Sequence, residues 1–148
     1  MKKAMLLAAF LVACSKAETP KADSPAVAAG PAPLTAADVA GTWNGTTMAE
    51  ASDSLISKWT VTGDGTNGKW IVEGQKDSVA TTTTYDADSM IVTSVAYKEP
   101  NVKGNPMVTF RSVGRLTGGK LVGTAAVMPA SKPDSVIARF RWEATKAP

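Results

Sequence analysis

From Thr42 onward the chain reads as short segments rich in Thr, Val, Trp and Tyr, separated by Gly, Asp, Asn and Pro. No run there has helical periodicity. Strands alternate faces with a period of two and favour β-branched and aromatic residues. The pattern predicts strands over 42–49, 56–62, 69–74, 79–85, 89–97, 106–116, 120–128 and 135–145. Compact turns fall at 63–68 (GDGTNG), 86–88 (DAD) and 117–119 (TGG), and the longest connection is KEPNVKGN at 98–105. Gly, Asn and Asp suit such turns because they tolerate positive φ or close them with side-chain hydrogen bonds. Before the strands, Thr35 and Asp38 stand as a capping box with Leu34 and Val39 at the staple positions. This predicts one helical turn near 36–40, ended by Gly41. Sequential strands with short links favour an antiparallel meander, and a sheet of that size removes its edges by closing. The expected fold is all-β: an eight-stranded up-and-down antiparallel β-barrel.

The alternation also assigns faces. With the 56–74 hairpin turning at Gly65-Thr66, Trp59 opposes Val72 and Val61 opposes Trp70, all on one face, while Lys58 opposes Glu73 on the other. In the last strand Val136, Ala138, Phe140, Trp142 and Ala144 share a face. Val79, Thr81, Thr83 and Tyr85 share another, as do Val108, Phe110, Ser112 and Gly114. The inward face thus mixes aromatics with Thr, Ser, Gly and Ala. Such a mix either interlocks and fills the barrel or leaves room for one small ligand. If there is a cavity, Trp59, Trp70, Tyr85 and Phe110 are its candidate lining, with Met48, Leu55 and Ile56 near a mouth. The outward faces carry Lys, Arg, Glu and Thr, and several strands are shorter than the 9–11 or so residues of membrane-spanning ones, which argues against a lipid-embedded barrel.

The N-terminal pattern differs. Lys2 and Lys3 precede an apolar run from Ala4 to Ala13, too short to span a bilayer, which needs about 20 residues. Leu11-Val12-Ala13-Cys14 follows, holding the only cysteine of the chain. These residues resemble a bacterial lipobox. The resemblance implies a signal peptide over 1–13, cleavage after Ala13 and a lipid anchor on Cys14. Ser15 follows where an inner-membrane lipoprotein commonly has Asp, which implies the outer membrane. Residues 14–34 are rich in Ala, Pro and Lys and are expected to form a disordered tether, leaving 35–148 as the barrel domain.

Composition narrows the chemistry. The chain has 16 basic and 13 acidic residues and no histidine. Loss of Lys2 and Lys3 would leave 14 basic residues and a net charge of +1, which offers no footprint for nucleic acid. A lone, acylated cysteine and no histidine remove the usual soft-metal ligands. Asp64 to Gly68 has the look of a calcium loop but lacks the terminal bidentate acid. No nucleophile–base pair stands out, so neither an enzyme nor a cofactor is expected.

Gly41-Thr42-Trp43, placed after a helical turn and opening the first strand, resembles the Gly-x-Trp motif of lipocalins and the wider calycins. The resemblance implies that Trp43 plugs one barrel end beneath an arginine from a late strand, for which Arg139 and Arg141 are the two candidates. It also implies a barrel that binds a small or hydrophobic ligand. The competing class is a pocketless interaction module that binds another envelope protein through its exterior.

Overall fold

The computed structural model describes residues 32–99 and 102–148. The signal peptide over 1–13, Cys14 and the tether up to residue 31 lie outside the described residues. The remainder is an all-β, closed, eight-stranded antiparallel up-and-down barrel preceded by a single helical turn.

The helical turn, α1, covers Ala36–Val39. The Asp38 carboxylate accepts from the Thr35 backbone N–H at 2.9 Å and from its hydroxyl at 2.6 Å. These bonds hold the Asp38 carboxyl below the ordinary carboxylate range. Leu34, assigned to the tether by composition, is in fact buried, and its N–H donates to the Ala87 carbonyl at 2.9 Å. Among the described residues the strands are β1 Gly41–Ala49, β2 Leu55–Gly63, β3 Asn67–Val72, β4 Val79–Asp86, β5 Ser89–Ser94, β6 Tyr97–Lys98, β7 Met107–Thr117, β8 Lys120–Pro129 and β9 Ala138–Lys146. Each pairs antiparallel with its neighbours, and β1 with β9 and β5 with β7 complete the ring. The expected register of the β2–β3 hairpin holds: Trp59 faces Val72 and Val61 faces Trp70. Glu73 N–H meets the Lys58 carbonyl at 2.8 Å.

Two strand boundaries differ from the pattern by more than two residues. The expected strand over 89–97 breaks after Ser94. There the Ser94 hydroxyl oxygen accepts the Phe110 N–H at 2.9 Å, a side chain replacing a backbone carbonyl. The chain bends out at Val95 and Ala96 and returns as β6 along β7, with Tyr97 opposite Val108. The last strand starts at Ala138 rather than 135, because Pro133 and Asp134 lie in the preceding turn and Val136 is left exposed.

The barrel has two unlike poles. The turns 64–66, 87–88 and 118–119 gather at one, where α1 lies across the end. Asp64 closes the first of these turns by accepting the N–H groups of Thr66 and Asn67 at 2.8 and 2.7 Å. Gly65, at φ 92°, packs so close to the Ala36 backbone that a Cβ there has no room. Leu34, Trp43, Met90, Leu121, Trp142 and Ala144 form the core beneath this plug. The longer connections 50–54, 73–78, 95–106 and 130–137 gather at the other pole, above a second cluster of Val79, Tyr97, Val108 and Val127.

Trp43 is 2 % exposed and its Nε1–H donates to the Val39 carbonyl at 2.8 Å, tying α1 to β1. The cation over its ring is Lys146, with Nζ 5.6 Å from the centroid, and neither expected arginine. Register decides this. Lys146 lies directly opposite Trp43, whereas Arg141 lies opposite Met48 and Arg139 opposite Ala126. Arg141 instead pairs with Asp53 at 2.8 Å at the far pole. Trp43→Ala is expected to cost about 3–5 kcal/mol, the range for deleting a buried large aromatic. Lys146→Ala removes only a partly solvated cation–π contact and should cost less than about 1 kcal/mol. Denaturant unfolding of the two variants measures the difference.

Candidate functional site

The inner wall is built from residues of unequal size. Gly45 on β1 sits beneath the six-membered ring of Trp59, and Gly114 and Gly123 sit against that of Trp142, where a Cβ would come within 2.6 Å of ring atoms. Each large ring therefore lies over a backbone with no side chain, which lets two indoles lie inside a barrel of only eight strands. Trp59 and Trp142 meet edge to face with centroids 6.0 Å apart. Nearer the other pole Trp70, Tyr97 and Phe110 pack edge to face, at centroid distances of 5.5 Å (Trp70–Tyr97), 5.4 Å (Trp70–Phe110) and 6.1 Å (Tyr97–Phe110).

The interlock does not fill the barrel. An interior cavity of about 130 Å³ runs between the two aromatic groups. Its lining is mainly apolar, and several of the hydroxyls and N–H groups on it are already engaged. Trp59 Nε1–H donates to Thr47 Oγ1 at 2.9 Å, and Ser112 Oγ donates to the Thr124 carbonyl at 3.1 Å. Trp142 Nε1 is buried and has no hydrogen-bond partner among the described residues.

At the pole of long connections the lining turns polar. Tyr97 and Glu99 are 8 % and 3 % exposed, and the Tyr97 hydroxyl donates to Glu99 Oε2 at 2.7 Å. Both side chains line the cavity. The fold delivers them there because β6 turns back along β7 and Glu99 N–H continues the pairing to the Pro106 carbonyl at 3.1 Å. Burial foremost, then the hydrogen bond to Glu99 and its charge, pushes the Tyr97 phenol well above its usual value.

Of the residues singled out from sequence, Trp59, Trp70, Phe110 and Ile56 line the cavity together. Tyr85 does not. It packs against the core at the plugged pole and donates its hydroxyl to the Gly65 carbonyl. Met48 and Leu55 do not line it either. The β1–β2 register shifts between Thr47 and Met48, which pairs Met48 with Leu55 at the rim and leaves Leu55 56 % exposed. A bulge of this kind interrupts the two-residue alternation at the strand end. Sequence reasoning placed Trp142 on the inner face without making it a ligand contact, and it missed Tyr97 and Glu99. The first could have been found from its alternation with Phe140 and Ala144. Glu99 had no local signal, because Lys98 to Asn105 reads as a solvated connection. Among the described residues no group of three or more Cys, Asp or Glu comes together as metal ligands.

Both tyrosines are raised, Tyr85 by burial and then by the charges of Asp38 and Asp64. A phenol whose folded-state pKa exceeds its unfolded value near 10 contributes stability that is complete below about pH 10 and lost as the pH rises through the folded value. Ultraviolet difference titration should therefore show no phenolate transition centred near pH 10 in the native protein, and two such tyrosines once it is unfolded in urea. Compared with known proteins, the chain matches no family model, no curated protein sequence and no solved structure.

Proposed function

We propose that this chain is a lipid-anchored protein of the bacterial cell envelope with no catalytic role, whose barrel holds one small, largely apolar ligand. The observation that carries the binding half is the cavity of about 130 Å³ bounded by Trp59, Trp70, Phe110 and Trp142. It is close in size to engineered apolar cavities of about 150 Å³ that take up benzene. Pockets of this kind combine apolar walls with a few placed polar groups that fix orientation. The anchoring half rests on the sequence Leu11-Val12-Ala13-Cys14 alone, with Ser15 favouring the outer membrane. The likeness to lipocalins extends to strand number, strand order and a tryptophan closing one pole, with lysine in place of the arginine.

Two measurements test the two halves. The mature protein should carry its acyl chains on Cys14 by intact mass, and Cys14→Ser should release it from membranes. Titration with small hydrophobic dyes should change tryptophan emission saturably at about one molecule per barrel. Mass spectrometry of the native protein should then identify the molecule it carries. Absence of saturable change, together with co-purification of a protein partner, would instead point to an interaction module.

A further inference from the structure

Charge divides the barrel lengthwise. Residues 32–90, which supply α1 and β1 to β4, hold eight acidic and three basic residues. Residues 91–148 hold three acidic and nine basic ones, and one of the three acids, Glu99, lies inside. The strands follow one another round the ring, so this split in the sequence becomes an acidic and a basic half of the cylinder. All four arginines of the chain, Arg111, Arg115, Arg139 and Arg141, stand on β7 and β9. Arg141 pairs with Asp53 and Arg115 with Asp88, at 2.8 and 3.6 Å. Arg111 and Arg139 are exposed and form no ion pair among the described residues. Both lie opposite Ala126 on β8, one on each side. With strands about 4.8 Å apart, two guanidinium groups flank a single methyl and can converge on one phosphate. Apolar side chains accompany them. Of the seven large exposed hydrophobics among the described residues, Met107, Val113, Leu116, Val136 and Ile137 lie on β7 or just ahead of β9. The acidic half exposes only Leu55 of this kind, and its exposed strand positions include Thr62, Thr82 and Thr84. A second copy offering its acidic half would match the charge but set threonines against the apolar groups, and two basic halves repel. The surface fits a partner that is anionic and apolar together, as a phospholipid interface is.

We infer that the barrel leans its basic half, centred on Arg111, Ala126 and Arg139, against the anionic phospholipid surface that holds its own anchor. This rests on the lipid-anchored reading above and adds an orientation to it. The chain is long enough. Between Cys14 and Leu34 there are 19 residues, which reach up to about 65 Å when extended. The longest strand, β7, has 11 residues and spans about 35 Å. Salt screens such a contact, so it does not hold the domain on a membrane by itself, in keeping with release of Cys14→Ser. It acts once the anchor has raised the local concentration of the surface.

The mature acylated protein, reconstituted in vesicles of phosphatidylcholine with or without about 30 % phosphatidylglycerol, tests the inference. Lipid occupies the Cys14 thiol, so an introduced cysteine is the one free thiol. Val113→Cys on β7 and Thr62→Cys on β2, across the ring, each carry a polarity-sensitive dye. In the anionic vesicles brominated lipid should quench the dye of Val113→Cys at least about threefold more than that of Thr62→Cys. Adding Arg111→Gln and Arg139→Gln, or raising salt to about 0.5 M, should bring the two within about 1.5-fold. Equal quenching at the two positions in anionic vesicles would overturn the inference, while acyl chains found by intact mass leave the anchored reading standing. A dye response that follows the number of chains per vesicle and not the lipid charge would also overturn it, in favour of a second copy. A mature chain without acyl groups would overturn both readings. The comparison of the two positions decides the matter even if the double arginine variant does not fold.

Discussion

Ring closure between β5 and β7 is the constraint from which the rest of this structure follows. Ser89 to Thr93 pair with Arg115 to Arg111, and that ladder turns an eight-stranded sheet into a hoop with no free edges. An open sheet would leave two rows of unpaired N–H and C=O groups exposed. Closure has a geometric cost. β5 is shorter than β7, so the upper part of β7, from Met107 to Val108, is left without a partner from β5. The chain meets that need by bending at Val95 and sending β6 back along it. Tyr97 and Glu99 reach the barrel interior as a by-product of satisfying β7.

Closure also fixes how much volume the interior can hold. With eight strands the bore accommodates side chains or one small molecule, not both at full size. Gly45, Gly114 and Gly123 give up their side chains so that Trp59 and Trp142 can lie flat against the wall. The space that remains is the cavity. Its polar end is set by the connection that leaves the hoop.

Most of the hoop was legible in the sequence. Alternation located every barrel strand, and the separation of Trp59 and Val61 from Lys58 fixed the β2–β3 register without any tertiary information. What depended on pairing between distant strands was not legible. The cation over Trp43 follows from the β1–β9 register, which a single sequence does not state, so a family likeness pointed to Arg139 or Arg141 where Lys146 stands. The burial of Glu99 follows from ring closure, while its neighbours Lys98 and Lys103 carry the composition of a solvated loop. The register shift at Met48 has no marker among Thr46, Thr47 and Met48, and it leaves Met48 and Leu55 at the rim but off the cavity wall.

The plugged pole gathers more than the turns. Leu34 enters the barrel there, and the chain leaves it there after Lys146, with Ala147 N–H donating to the Thr42 carbonyl at 2.8 Å. Ends this near each other can be spliced by a short peptide, and a new opening cut between Pro129 and Ala138 would fall in an exposed segment of the opposite pole. Domains of this anatomy generally accept circular permutation. Such a rearranged chain would present its barrel to any attached surface the other way up, exchanging the pole that faces outward without altering a single strand pairing.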